Sequence, residues 1–240
     1  PRTILEAPSD AEVLVLEMGT NEPGEIGALT DVAQPDIGVV TTVSESHLEG
    51  LGSLAGVLEE KLALLRGLKP EGVGLVGDEP DVLRTRAREL GREILVAGLS
   101  EHADADLRAT HLEVQATGGF RFTWRGQVVE LQIPGEAAVV DALLALGVAH
   151  RLGVDPEAAA RGVGSVEPGW LRGEVRRFGS LTAVLDCYNA NPQSVRAAVR
   201  TLERMPSTGK RILVLGSMLE LGAEAEALHA TVLAEASESG

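Results

Sequence analysis

A chain of 240 residues with 44% apolar side chains can build one large domain or two ordinary ones, and with aromatics at 2% its core must come from Val, Leu, Ile and Ala. A formal charge of −15 argues against a general nucleic-acid or anionic-membrane surface, while a small anionic ligand held by a local patch, by backbone amides or by a metal stays open. One cysteine, Cys187, excludes an internal disulfide and suits a reducing, cytoplasmic compartment. No stretch approaches the roughly 18 apolar residues of a membrane span, and no basic-then-apolar leader suggests export.

The chain starts at Pro1 rather than Met, and a strand is expected almost at once, so it reads as a piece of a longer protein with a segment upstream. Glu12–Glu17 is that strand: an apolar run ending abruptly in a carboxylate before a Gly/Asn/Pro-rich turn. Gly24–Ala33 then reads as a helix start and Ile37–Thr42 as a strand. Leu54–Leu68 reads as an amphipathic helix, with Leu54, Val57, Leu58, Leu62 and Leu65 at i, i+3, i+4 spacings. Gly72–Val76 is a strand, Glu79–Leu90 a helix and Ile94–Ala97 a strand, an alternation that implies βαβ units around a parallel sheet. Between about 107 and 133 the pattern shortens. His111–Gln115, Gly119–Trp124 and Gln127–Ile133 alternate around turn residues and predict a small antiparallel excursion. Ala137–Leu152 and Pro156–Val163 are helices. Residues 164–173, rich in Gly and Pro without periodicity, read as a hinge. Beyond it Gly179–Leu185 is a strand, Pro192–Arg204 a helix, Arg211–Leu215 a strand and Ala223–Ala236 a helix. The expected fold is α/β: a mostly parallel sheet with flanking helices and a small antiparallel segment, then the start of a second, Rossmann-like α/β unit. The expected domains are 1–166 and 167–240, each partial.

Ligands of open α/β sheets sit outside the carboxyl ends of the strands, which makes Glu17 a candidate site residue. His47, five residues beyond the strand ending at Thr42, falls on the same rim. A carboxylate and an imidazole converging there could handle a divalent metal or a phosphate. Lys61 lies on the amphipathic helix after Glu59 and Glu60. It reads either as a surface lysine paired with a nearby acid or as a residue kept for amine chemistry. The second reading gains weight because Lys61, Lys69 and Lys210 are the only lysines among many arginines, and arginine cannot replace a lysine amine. Asp186, Asn189 and Asn191 stand at a later strand end, ahead of a helix. They read either as cap and turn residues or as a polar ligand loop beside a helix dipole.

Five stretches occur in order: Glu17-Met18-Gly19-Thr20-Asn21-Glu22-Pro23-Gly24-Glu25-Ile26; Ser46-His47-Leu48-Glu49-Gly50; Lys61; Asp186-Cys187-Tyr188-Asn189-Ala190-Asn191-Pro192; and Met218-Leu219-Glu220-Leu221-Gly222. Together they resemble the Mur ligases, over about residues 11 to 230. The resemblance is nearest to the branch that joins D-alanyl-D-alanine to UDP-N-acetylmuramoyl-tripeptide. It implies a cytoplasmic, monomeric, ATP- and Mg²⁺-dependent amide ligase of peptidoglycan precursor synthesis, acting through an acyl phosphate. By resemblance Glu17, His47 and Lys61 match Mg²⁺-site positions, with Lys61 the lysine that the family carbamylates. Lys61 and His47 are thereby the expected catalytic pair. Arg172 and Asp186 match positions that meet the nucleotide, and Asn189 and Asn191 lie in the loop near the incoming dipeptide.

The chain departs from the family pattern in several places. No Gly-x-x-Gly-Lys-Thr/Ser phosphate loop occurs; in the family it precedes the Glu17 strand, with the UDP-sugar domain. After Pro134-Gly135, Ala137, Ala138 and Asp141 stand where His, Asn and Asn hold adenine in the family. Leu185 and Ser217 replace two common aspartates. Little or no ligase activity is therefore expected of these 240 residues alone. Two other classes remain open: a degenerate, non-catalytic binding or scaffold protein with this fold, and another ligase of the superfamily, such as a folylpolyglutamate synthase-like enzyme.

Overall fold

A computed structural model describes residues 2–115, 117–207 and 209–238. A short exposed helix, α1 (Arg2–Glu6), precedes α2 (Glu25–Ala33), and strand β1 (Ile37–Val40) follows. Next come α3 (Leu48–Leu51), α4 (Leu54–Arg66), β2 (Val73–Gly77), α5 (Asp81–Arg88) and β3 (Ile94–Ala97). The three strands form one parallel sheet in the order β1-β2-β3, with Val39 opposite Leu75 and Leu75 opposite Leu95.

β2 is buried along its whole length because both faces of the sheet are covered. Successive side chains point to opposite faces, so Leu75 packs into one core and Val76 into another. The Val76 core is filled by Leu58, Leu62 and Leu65 of α4 and Leu83 of α5. The Leu75 core is filled from α6 (Glu136–Arg151) and from a second sheet of β4 (Thr110–Val114), β5 (Phe120–Trp124) and β6 (Gln127–Glu130). That sheet is antiparallel, as its alternation predicts. Trp124, 2% exposed, donates its indole N–H to the Asp106 carbonyl at 2.9 Å, which satisfies the polar end of a buried ring. α6 approaches the parallel sheet closely at Gly147, where a Cβ would stand 2.7 Å from Leu75 Cδ2.

After α7 (Pro156–Gly164) the chain forms an antiparallel hairpin of β7 (Glu174–Phe178) and β8 (Leu181–Leu185). α8 (Pro192–Arg204) and α9 (Ala225–Glu238) complete the C-terminal unit around Val195, Met218, Leu221 and Val232. Among the described residues no helix is long and apolar enough to cross a membrane.

Two expected strands are not formed. Residues 12–17 and 211–215 run without ladder partners among the described residues, and Val15 and Val214 are 84% and 88% exposed. Their apolar pattern is strand-like, but a strand exists only where a neighbour accepts its backbone hydrogen bonds. β7, by contrast, was not expected, since Glu174-Val175-Arg176-Arg177-Phe178 shows no apolar alternation; pairing with β8 creates it.

Candidate functional site

The rim at the carboxyl ends of β1, β2 and β3 is built from the loop 41–53, from Asp78 and from residues 98–100. Ser53 caps α4 by accepting the Gly56 N–H at 3.2 Å. The helix turns Val57, Leu58, Leu62 and Leu65 into the core. Lys61 is thereby left at the rim, half-buried, and its Nζ donates to the Thr42 carbonyl at 2.8 Å. Desolvation pulls its pKa down. Its partner is a backbone carbonyl, not the nearby acid that the plainer sequence reading expects.

The neighbouring acids are engaged elsewhere. Glu59 pairs with Arg66 and Arg86. Glu60, 7% exposed, accepts the backbone N–H groups of Gly24 and Ile26, both at 2.7 Å. It therefore ties the turn after Glu17 to the helix that carries Lys61. Glu25 closes the same turn by accepting from the Asn21 and Glu22 amides, which lower its pKa. Sequence reasoning missed Glu60; its one signal was an acid one residue from the heptad-like apolar face.

Glu17 is exposed at the end of its extended segment. His47 stands at the N-cap of α3 with a left-handed φ of 55°. Its Nδ1 lies 2.8 Å from Glu220 Oε2, off the line of an aligned hydrogen bond. The structure thus brings the Met218–Gly222 stretch to His47, and the Glu49 N–H donates to the Glu220 carbonyl at 3.3 Å. Among the described residues no three His, Cys, Asp or Glu side chains converge to hold a metal ion.

A second group gathers at the hinge. The Arg172 guanidinium lies 4.1 Å over the Tyr188 ring. The Leu171 carbonyl accepts from the Cys187 and Tyr188 amides at 3.0 and 3.1 Å, so the hinge is laced to the end of β8. Desolvation pushes the Asp186 carboxyl up, opposed by the Gly173 amide and the Arg172 charge. Asn189 Oδ1 accepts from the Ala190 amide at 2.9 Å. Asn191 caps α8 in a reciprocal box with Ser194, so its side-chain oxygen serves the helix end.

Between the rim and α8 lies a cavity of about 360 Å³, lined by Thr42, Asp78, Phe120, Asp141, Gln193 and Arg200 among others. Asp78 Oδ2 accepts from the Leu99 and Ser100 amides at 3.0 and 2.8 Å and is satisfied. Asp141 opens to the cavity, and the surrounding protein pushes its carboxyl up to about 6. Glu136 of α6 pairs across the boundary with Arg204 of α8. Asn191 and Ala137 also line the cavity, whereas Glu17, His47, Lys61, Arg172 and Asp186 do not.

A parallel sheet with a polar rim, roofed by a C-terminal helical unit across a hinge, is the architecture of the Mur ligases, and the chain belongs to that family. The family model of the Mur ligase middle domain matches residues 1–149, and that of the Mur ligase, glutamate ligase domain matches residues 171–239. A Bacillus subtilis relative, a UDP-N-acetylmuramoyl-tripeptide–D-alanyl-D-alanine ligase, is 36% identical over 95% of this chain and 50% of its own length. A crystal structure of MurF from Acinetobacter baumannii superposes with a TM-score of 0.88 at 27% identity, over 98% of this chain and 51% of that one. MurF ligase from Thermotoga maritima, in complex with ADP, gives 0.83 at 26% identity, over 96% and 53%. The chain thus spans about half the length of the relatives it matches.

Proposed function

We propose that the protein of which this chain forms part is an ATP- and Mg²⁺-dependent ligase that joins D-alanyl-D-alanine to UDP-N-acetylmuramoyl-tripeptide through an acyl phosphate. It acts as a cytoplasmic monomer in peptidoglycan precursor synthesis. The named relatives support this reading, and one observation in the chain carries it: a desolvated Lys61 amine on the rim, bonded to a carbonyl and not to an acid. Desolvation favours the neutral amine, the form that adds CO₂ to give a carbamate.

As an ammonium, Lys61 is no ligand for a hard cation. As a carbamate it supplies oxygen donors, and with Glu17 and His47 the set then suits Mg²⁺. The metal, when bound, would neutralise charge building on phosphoryl oxygens. Under this proposal Arg172 and Asp186 meet the nucleotide, and Asn189 and Asn191 orient the incoming dipeptide. The Thr42 carbonyl holds Lys61 in place, and Glu60 holds the turn that presents Glu17. Residues 1–166 form part of the central unit and 167–240 part of the C-terminal one.

The test is ATP- and D-alanyl-D-alanine-dependent phosphate release by the full-length protein. Lys61→Arg keeps the charge but cannot be carbamylated, and is expected to lower kcat by about a hundredfold or more. Full activity in Lys61→Arg would overturn the proposal. Ala137 and Asp141 at the cavity favour the second reading, a scaffold that has lost its nucleotide grip; no phosphate release by the full-length protein would select it. Turnover of a different acceptor amino acid would point instead to a folylpolyglutamate synthase-like ligase.

A further inference from the structure

Among the contacts that reach from the C-terminal unit to the rim, one meets Thr42, the partner of Lys61, and another meets His47. In the first, Gln193, in the first turn of α8, donates through Nε2 to Thr42 Oγ1 at 3.1 Å. Thr42 has two roles here: its hydroxyl receives α8, and its carbonyl receives the Lys61 amine at 2.8 Å. In the second, Glu220 lies 2.8 Å from His47 Nδ1.

The second contact is a built one. His47 and Glu220 both hold left-handed φ values, 55° and 61°, which residues with a Cβ adopt only where their surroundings impose it. These two residues meet across the boundary between the units. The Glu49 N–H binds the Glu220 carbonyl beside them. His47 Nδ1 is buried without an aligned hydrogen bond, and the Glu220 carboxylate stands 2.8 Å from it. The stretch carrying Glu220 is in turn fixed to α9. Leu221 is 2% exposed, and the Met218 amide donates to His229 Nε2 at 2.9 Å, while His229 Nδ1 meets the Ala225 carbonyl at 2.7 Å. Glu220 therefore moves with α9, and Gln193 moves with α8.

We infer that Glu220 and Gln193 are positioning residues through which seating of the C-terminal unit sets the His47 imidazole and the Thr42–Lys61 pair. The inference rests on the assignment of Lys61 and His47 under Proposed function. Each contact involves a half-buried or exposed side chain and is weak alone. Both hold only while the unit is seated, so together they transmit docking to the rim.

Hydrogen–deuterium exchange on the full-length protein tests this, comparing the parent with Glu220→Ala, Glu220→Gln and Gln193→Ala. Glu220→Ala and Gln193→Ala are each expected to speed exchange of amides 44–51 about fivefold, with β2 and β3 unchanged. Coupling is reciprocal, so His47→Ala is expected to speed exchange at 218–222. The effect of Gln193→Ala on residues 47–51, which it does not touch, is the sign of transmission through docking. A residue with a local structural role would leave them alone. Unchanged exchange at 44–51 in either variant overturns the inference. If Glu220→Ala also loosens β2 and β3, Glu220→Gln decides, because it keeps the side chain's size: faster exchange confined to 44–51 supports the inference, and none overturns it. A second readout is the ¹³C carbamate signal after equilibration with labelled bicarbonate, expected to fall at least twofold in Gln193→Ala. No Lys61 carbamate in the parent would sink the assignment of Lys61, while the exchange data would still decide the coupling.

Discussion

Asp141 shows how one side chain on the cavity wall can make stability depend on pH. Its carboxyl is pushed up to about 6 by the protein around it, against an ordinary value of 3.8. The raised folded-state value means that the native chain holds this proton more tightly than the unfolded chain does. Between about pH 4 and 6 the native state therefore binds more protons, and stability falls as pH rises through that window. Above it the ionised carboxylate is a standing penalty that an amide would not carry. Asp141 is exposed, so solvent screens much of this cost; Asp141→Asn is accordingly expected to raise the unfolding midpoint at pH 7.5 only slightly, with the gain shrinking towards zero at pH 4. Thermal unfolding followed by circular dichroism at the two pH values checks this. An equal gain at both would mean that the substitution acts through packing and not through ionisation.

Among the elements, the joint between α2 and α4 rests on Glu60. A helix start leaves several N–H groups without intrahelical partners. α2 has no side-chain cap of its own, and the Glu60 carboxylate of α4 takes the Gly24 and Ile26 amides instead. The same bonds hold the turn that follows Glu17. Glu60→Ala leaves the buried Ile26 amide and the part-buried Gly24 amide unanswered and is expected to lower stability by about 1–3 kcal/mol, read from urea unfolding. Glu60→Gln, which still offers one carbonyl oxygen, should lose less. α8 presents the opposite case, an element that closes its own end. Asn191, Pro192 and Ser194 supply cap, first-turn proline and reciprocal bond within four residues. Its observed bounds, Pro192–Arg204, are those expected from the sequence for that reason.

Among the described residues most of the core lies on the two faces of β2, with a smaller one around Val195, Met218, Leu221 and Val232 on which Leu215 packs, and Val15 and Val214 belong to neither. Val15 and Val214 are almost fully exposed, so replacing either takes little apolar area from the interior. Val15→Ser and Val214→Ser are each expected to change the stability of this chain by less than about 0.5 kcal/mol. By contrast, a large loss in either variant would show that the segment packs against something in solution.

Elements whose signal lies within a few neighbouring residues were legible from the amino acids alone. The i, i+3, i+4 leucines of α4, the alternation in β5 and β6, the cap of α8 and the ordered motifs around Glu17, His47, Lys61 and Asp186 all belong to that kind. Pairing did not. Residues 12–17 and 211–215 have strand-like patterns without ladder partners among the described residues, and β7 has a partner without the pattern, because a ladder depends on which backbone lies alongside. The same holds at the rim. Gln193 and Thr42 stand 151 residues apart, and Glu220 meets His47 across a hinge. Periodicity and capping are local properties of a chain, whereas contacts such as these arise when sheet order and core packing bring distant segments to one place.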